Sequence, residues 1–416
     1  MSNEIACSNS LRRSILASAL VLSLASIQGT ALTHPGVRLR EGASVLEPRK
    51  AETSQNADSA RNKMGNHYLL LVNTAIAFMM SKDKFTQFEK SPYDGIAVGF
   101  WHAYDTSAVK TVAEMDTKIA EWKKATRKDI WPWVYINRMI GVDPASANPY
   151  TMDPYFHRFR GADLDGKAGA RAEFLQNWEN SLRAARDSNV PGVVFDFEFY
   201  NYYKEYDISE LARETGTTPQ AAATLLRQLG ARMADIAAEQ YPEATLWFLV
   251  TGFTHAGYKT IAGQPYYPSP TYVAIGLLDE VQDHHLHLKV LSGGEGSLAY
   301  CHESLEQFHG AIQDRATKFQ PQLQKYQGIL ELAGTMTLYT DRSQMTDWVK
   351  KDCSSSAAAS LEDLQPYLEL LLKTYRYNWI YGSNDGGYNA YAPHVAGRFD
   401  SLIRKAQAHA IGSQPH

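Results

Sequence analysis

Short apolar runs alternate with longer amphipathic stretches along most of the chain. Eight such runs occupy residues 68–78, 95–102, 130–140, 193–200, 245–253, 287–292, 329–339 and 376–382. Continuous apolar runs of this length are typical of parallel strands that are buried on both faces. Only the seventh run has a weak pattern, because Glu331 interrupts it.

Apolar residues at helical spacing lie between these runs and predict amphipathic helices. They occupy residues 107–126, 172–186, 219–240, 272–283, 303–326, 361–373 and 394–408. Eight strands alternating with helices predict an α/β fold, a (β/α)8 TIM barrel that forms a single catalytic domain over residues 66–412. The longest insertions, residues 141–170 and 254–271, follow the third and fifth strands, on the side where barrels build their active sites.

The N-terminus has the pattern of an export signal. Arg12 and Arg13 precede an apolar run at residues 15–27, and small residues follow at 29–31. We therefore predict a signal peptide over residues 1–31, a flexible leader over residues 32–65 and a secreted or periplasmic protein. The arginine pair also fits a twin-arginine signal. The apolar run is short for a bilayer, so no membrane span is expected in the mature chain.

Composition narrows the range of partners. A formal net charge of -4 with 21% charged residues gives no reason to expect nucleic acid or an anionic membrane. The 24 Tyr and 8 Trp favour a carbohydrate substrate slightly, although a large barrel also has a large aromatic core. Cys301 and Cys353 are free to pair in an oxidising compartment or to remain thiols. No Cys/His spacing indicates zinc, and we expect a monomer without metal or cofactor.

The fourth apolar run carries the strongest chemical signal. Asp196 and Glu198 alternate with three phenylalanines, so the two carboxylates share one face of the strand, about 7 Å apart at Cα. Two ionised carboxylates at this spacing repel, so one pKa is expected to be raised. The pair would then supply a general acid beside an ionised carboxylate. The alternative is a structural pair that Arg138 or backbone donors satisfy.

A second candidate carboxylate is Glu295, in the segment SGGEGS after the sixth run. Its neighbouring glycines are expected to let the backbone turn tightly and expose the side chain. The alternative is an ordinary solvated glutamate. Glycoside hydrolysis needs two carboxyl groups across the scissile bond, so Glu198, Asp196 and Glu295 are the predicted catalytic residues.

Other polar and aromatic residues follow the strands at the end where barrel enzymes bind substrate. The predicted substrate-binding residues are Trp101, His102, Asn137, Arg138, Tyr200, Trp379, Asn384 and Asp385. His284, His285 and His287 cluster at the opposite end, between a helix and a strand, and are predicted to form a solvated junction rather than a metal site.

The Asp196-Phe197-Glu198 segment resembles the strand-four D-x-E motif of the barrel glycoside hydrolases that include chitinases and hyaluronidases. This resemblance implies that Glu198 is the general acid and that Asp196 orients an acetamido group of the substrate, which acts as internal nucleophile. It also implies that Trp379 forms the floor of the site that binds the cleaved sugar. Val193 and Val194 stand where the longer chitinase signature has aspartates.

The position of Glu295 instead resembles barrel glycosidases with a strand-four nucleophile and a strand-six acid. That resemblance implies Asp196 or Glu198 as nucleophile and Glu295 as acid/base. The sequence therefore predicts a secreted glycoside hydrolase acting on a poly- or oligosaccharide. The alternatives are a non-catalytic carbohydrate-binding barrel and a metal-dependent phosphodiester hydrolase, for which only His102 and His255 lie at strand ends.

Overall fold

The computed structural model describes residues 67–73, 82–100, 110–135, 165, 169–196, 207–253, 259–261, 263–298, 302, 304–337, 362–382 and 396–411. All of them belong to one compact unit, residues 55–416. None of the helices in these ranges is long and apolar enough to cross a bilayer.

The described strands form one parallel sheet and one small hairpin. The sheet contains β1 (Tyr68–Asn73), β2 (Gly95–Gly99), β3 (Asp129–Tyr135), β4 (Gly192–Asp196), β5 (Thr245–Phe248), β8 (Lys289–Ser292), β9 (Leu330–Leu332), β10 (Gly334–Thr337) and β11 (Tyr377–Gly382). The hairpin consists of β6 (Lys259–Ile261) and β7 (Gln264–Tyr266), within the insertion that follows β5.

The strand order shows how the sheet closes. It runs β10-β11-β1-β2-β3-β4-β5-β8-β9, with every pairing parallel. The two end strands, β9 and β10, are consecutive in sequence and separated only by Ala333. They are two halves of one seventh strand, the first paired with β8 and the second with β11. The predicted (β/α)8 TIM barrel is therefore confirmed.

Helices follow most of the barrel strands. They are α1 (Lys82–Glu89), α2 (Val112–Lys123), α3 (Gly169–Asp187), α4 (Ile208–Thr215), α5 (Pro219–Gln240), α6 (Ser269–Asp283), α7 (Glu295–Leu298), α8 (Leu305–Lys325), α9 (Gln365–Thr374) and α10 (Ala396–Ile411). Local chemistry sets their ends. The Thr111 side chain caps α2 in a capping box with Glu114, and Gly216 ends α4 in the left-handed conformation.

The contacts of the fourth strand show which of its side chains point outward, toward the helices. The Phe195 ring lies 5.6 Å from that of Phe174 and 5.5 Å from that of Trp178, both on α3. It also makes an edge contact with Phe248 at 4.9 Å. Because side chains alternate along a strand, Asp196 lies on the opposite face, toward the barrel interior. The predicted outward face of β4 is thus confirmed at Phe195.

Aromatic side chains fill the interior near the N-terminal ends of the strands. Trp131 makes edge contacts with Tyr68 at 5.9 Å and with Trp247 at 5.8 Å, and Trp247 makes one with Tyr377 at 6.3 Å. The Trp131 indole donates to the Tyr68 hydroxyl, which donates to Asp129. Burial and the nearby Asp129 carboxylate raise the Tyr68 pKa well above its usual value. Part of the high Tyr and Trp content is therefore explained by the aromatic core of the barrel.

The last helix, α10, provides a pH-dependent contribution to stability. Burial raises the pKa of Asp400 to about 6, against the opposing charges of Arg404 and Lys128. Because the folded protein holds this proton more tightly than the unfolded chain, the contribution is complete below the unfolded pKa and is lost as pH rises through the folded pKa. Since Asp400 is partly solvated, we expect a loss of about 1 kcal/mol of unfolding free energy between roughly pH 4 and pH 7.

Urea denaturation across this pH range measures the effect. Replacing Asp400 with asparagine is expected to flatten this part of the pH profile, whereas replacing the exposed Asp314 with asparagine should leave it in place. An unchanged profile in Asp400→Asn would contradict the assignment.

Candidate active site

The C-terminal ends of β4, β5 and β8 lie side by side at one edge of the barrel. The Leu249 N–H donates to Phe195 O at 3.0 Å, and the Gly293 N–H donates to Phe248 O at 2.6 Å. These bonds continue the parallel ladders one residue beyond the strands. They place Asp196, Leu249 and Gly293 at the same level of the barrel wall. Asp196 is fully buried at this level.

Glu295 follows at the same rim. Its N–H donates to Leu249 O at 3.2 Å, and it is the first residue of the four-residue helix α7. Only 5% of its surface is exposed, so the expectation that the glycines expose this side chain is wrong. The reason is that the Gly293 N–H donates to the last residue of β5 and the Glu295 N–H donates to the residue after it, which holds the loop against the barrel.

The two carboxylate positions are therefore neighbours across one strand. The backbones of β4 and β8 are separated only by β5, which corresponds to roughly 10 Å at the usual interstrand spacing. Asp196 enters from the strand itself and Glu295 from the turn after β8. The structure brings these two predicted catalytic residues to the same end of the barrel.

Gly294 makes the turn between β8 and Glu295 possible. Its φ of +81° lies in the left-handed region that favours glycine. A Cβ at this position would lie 2.7 Å from the Arg315 Cζ, so space also requires glycine. The backbone leading into Glu295 is consequently packed directly against a guanidinium group.

That guanidinium belongs to Arg315 of α8, which is fully buried. It donates to Ser292 O at 2.6 Å and to Ala333 O at 2.7 Å. Its Cζ lies 5.3 Å from the Phe319 ring centre and 5.4 Å from that of Tyr375. Burial lowers its pKa. No carboxylate in the described part of the chain forms an ion pair with it. Besides the two backbone carbonyls, its guanidinium donates to the Ser292 hydroxyl oxygen at 3.4 Å.

Sequence reasoning missed Arg315, although a signal was present. Ile312, Arg315 and Phe319 recur at helical spacing and are all buried, so the arginine lies within the apolar stripe of α8. A charged residue in such a stripe is costly to bury without partners. Arg315 therefore fixes two parts of the barrel wall. One is the end of β8, from which the Glu295 turn begins, and the other is the junction between β9 and β10.

Replacing Arg315 with lysine is expected to lower the unfolding free energy by about 2 kcal/mol. Lysine retains the charge, but a single ammonium group cannot reproduce the forked donation to two carbonyls. Urea denaturation measures the loss. The matched change Arg213→Lys, at an exposed position on α4, should have almost no effect. Equal effects of the two changes would show that the forked geometry is unimportant.

Trp379 on β11 is the third predicted site residue that the structure describes. Its indole N–H donates to Gly293 O at 3.0 Å, so the ring reaches the turn that carries Glu295. The side chain is fully buried. Its proposed contact with a sugar stays a prediction.

The remaining predicted site residues lie outside the described residues and stay predictions. They are Glu198, Tyr200, Trp101, His102, Asn137, Arg138, Asn384 and Asp385. The same holds for His255, Cys301 and Cys353. Within the described ranges, no cluster of three or more His, Cys, Asp or Glu side chains is arranged to hold a metal ion.

Comparison with known proteins gives no family assignment. No protein-family model matches the chain, and no curated protein matches it. Solved structures that resemble it include a glycoside hydrolase family 5 enzyme from Prevotella bryantii in complex with a xyloglucan tetradecasaccharide. That enzyme has a TM-score of 0.45 and 12% identity, over 83% of this chain and 98% of that one.

Two further solved structures have other activities. A 3-keto-D-glucoside 4-epimerase from E. coli has a TM-score of 0.38 and 12% identity, over 82% of this chain and 99% of that one. A family 18 chitinase from Flavobacterium johnsoniae has a TM-score of 0.38 and 9% identity, over 82% of this chain and 93% of that one. These three proteins resemble the chain in fold, at identities too low to transfer an activity.

Proposed function

We propose that this chain is a secreted or periplasmic glycoside hydrolase that cleaves a poly- or oligosaccharide by carboxylate acid/base catalysis. The observation that supports the proposal is the pair of buried carboxylate residues at one rim, Asp196 at the end of β4 and Glu295 after β8. This rim is where barrel enzymes carry out chemistry, and two carboxyl groups at one rim are what acid/base hydrolysis of a glycosidic bond needs.

Two mechanisms use this arrangement differently. In the first, Asp196 or Glu198 attacks the anomeric carbon from the β4 side, and Glu295 donates a proton to the leaving oxygen from the β8 side. Glu295 then takes a proton from the incoming water. Carboxyl groups about 5–5.5 Å apart would give retention, and about 6.5–9.5 Å would give inversion, with one of the strand-four carboxylates then activating water instead of attacking.

In the second mechanism, Glu198 is the acid and Asp196 orients a substrate acetamido group, which attacks in place of a protein nucleophile. This version requires an N-acetyl sugar and does not need Glu295 in a proton transfer. Both versions use carboxylates alone, without a cofactor. Trp379, anchored beside the Glu295 turn, would line the bound sugar in either version.

A screen of aryl glycosides and polysaccharides tests the proposal. Wild-type protein should hydrolyse at least one substrate class, and Glu198→Gln and Asp196→Asn should each lose most of that activity. Activity restricted to N-acetyl sugars would favour the substrate-assisted version. Full activity in both variants would contradict the catalytic assignment of β4.

A further inference from the structure

A cavity lies at the N-terminal end of the barrel, opposite the rim that holds Asp196 and Glu295. It has a volume of about 350 Å³ and opens among residues that begin or immediately precede β5, β8, β9 and β11. The aromatic cluster around Trp131 and Trp247 fills the barrel interior above it. An empty space of this size loses packing contacts on all its walls, so a group that fills it stabilises the fold.

One wall of this cavity is apolar. The side chains and the ring that form it are those of Leu286, Leu288, Ile329 and Tyr377. Lys289 also lines the cavity, but its ammonium group pairs with Glu331 at 2.5 Å and donates to the Tyr377 hydroxyl at 3.0 Å, which holds it at the wall. Water against the apolar wall is unfavourable, so an apolar side chain from another part of the chain would be stabilised there.

The start of β1 lies at the edge of this cavity. The Tyr68 N–H donates to Arg376 O at 2.9 Å, and Tyr68 pairs in register with Tyr377. Arg376 and Tyr377 both line the cavity, so the chain enters the barrel directly beside it. The compact unit that contains the barrel begins at Gln55, before β1. Residues 55–66 are therefore the part of the chain that is tethered nearest to the cavity.

Residues 55–66 contain a single large apolar side chain, that of Met64. Three residues of extended chain span about 10 Å, so Met64 is close enough to His67 to reach the cavity. Its unbranched side chain suits an irregular space, and the following Gly65 lets the backbone turn. From the position of the cavity, its apolar wall and this tether, we infer that residues 55–66 dock across the N-terminal end of the barrel and that the Met64 side chain fills the cavity.

This docking gives the segment before β1 a structural role. The cavity becomes part of the core of the barrel, closed by the chain itself, and the residues that precede β1 contribute to the stability of the folded protein. Two other occupants of the cavity are possible in principle, a second copy of the chain and solvent alone. Each of them predicts a different dependence on Met64 and on protein concentration.

Thermal unfolding of the full chain tests the stabilising role. Met64→Ser is expected to lower the unfolding midpoint by about 4 °C, because a short polar side chain cannot fill the apolar space. Met64→Leu, which has a similar volume, should stay within about 1 °C of the wild type. The matched change Lys63→Ser, one residue earlier, should also shift the midpoint by less than about 1 °C. A midpoint of Met64→Ser equal to that of the wild type would overturn the inference.

Maleimide labelling of a thiol in the cavity wall tests the location. The thiol of Ile329→Cys should react at least about tenfold faster when Met64→Ser is also present, because the wall is then uncovered. The thiol of Lys318→Cys, at an exposed position on α8, should react at one rate in both backgrounds. Mass spectrometry of the labelled peptides separates these thiols from Cys301 and Cys353.

Two labelling results would overturn the inference. Equal rates for Ile329→Cys with and without Met64 would show that Met64 does not cover the wall. Protection that increases with protein concentration would show that a second copy of the chain covers it instead. Neither measurement depends on hydrolysis of a glycoside, so the outcome is independent of the proposed activity.

Discussion

Replacing Glu295 with glutamine is expected to lower kcat/KM for an aryl glycoside by about 10²- to 10⁴-fold. Glutamine keeps the size and most of the hydrogen-bonding capacity of the side chain but cannot donate or accept the catalytic proton. Glu295 is buried at the start of α7, and its backbone bond to Leu249 does not depend on the carboxylate. The substitution should therefore change activity far more than fold. Initial rates and thermal unfolding measure the two effects separately.

The matched control is Glu306→Gln, an exposed glutamate in the first turn of α8. It should retain wild-type activity. If Glu295→Gln also retains full activity, while Glu198→Gln loses it on N-acetyl substrates, the strand-six acid is wrong and the substrate-assisted mechanism remains. Since the two mechanisms differ in this variant, one series of measurements separates them.

Replacing Gly230 with alanine is expected to lower the unfolding free energy by about 3 kcal/mol or more, because the crossing of α5 and α6 leaves no room for a methyl group. A Cβ at Gly230 would lie 2.0 Å from Val273 O. Gly276 faces the other helix in the same way, with Arg227 O at 2.0 Å from its Cβ position. Val273 O and Arg227 O are both backbone atoms, so the clash with an added Cβ can be removed only if the two helices move apart.

The same substitution at Gly310 provides the control. Gly310 lies in the second turn of α8, is exposed, and has no atom within 4 Å of its Cβ position. Alanine there should raise the unfolding free energy by about 0.5–1 kcal/mol, because alanine favours a helix over glycine. Urea denaturation should thus give opposite signs for one chemical change. Destabilisation of similar size at both positions would contradict the close-packed crossing.

The barrel could be predicted from the sequence because its signal repeats. Each buried parallel strand is a continuous apolar run, and each long helix has an amphipathic stripe. The hairpin β6–β7 and the helices α1, α4 and α7 were not predicted, since elements of three to eight residues carry too little periodicity. Glu331 made the seventh strand the weakest prediction. In the structure its carboxylate pairs with Lys289 of the neighbouring β8, which explains a charged residue within a strand.

The strand ends at which two of the candidate residues lie were predictable, but their surroundings were not. Ionisable residues at strand ends predicted the rim, and the structure places Asp196 and Glu295 there. The predicted exposure of the Glu295 side chain was wrong, because a glycine-rich sequence does not reveal the hydrogen bonds that hold this turn against β5. Arg315 was missed for a similar reason. Its two carbonyl partners are 18 and 23 residues away in sequence, and only the folded barrel brings them together.

The two ends of the barrel thus have different chemistry. The C-terminal rim holds buried carboxylates beside a turn that Arg315 supports, while aromatic side chains fill the interior near the N-terminal ends of the strands.

We propose that carboxylates at the ends of β4 and β8 carry out the hydrolysis of glycosidic bonds. The most direct measurement is the release of reducing sugar from a panel of oligosaccharides by wild-type protein and by the double variant Glu198→Gln/Glu295→Gln, purified identically. We expect release by the wild type and none above background by the folded double variant. Equal release by the two proteins, or none by the wild type on any substrate, would contradict it.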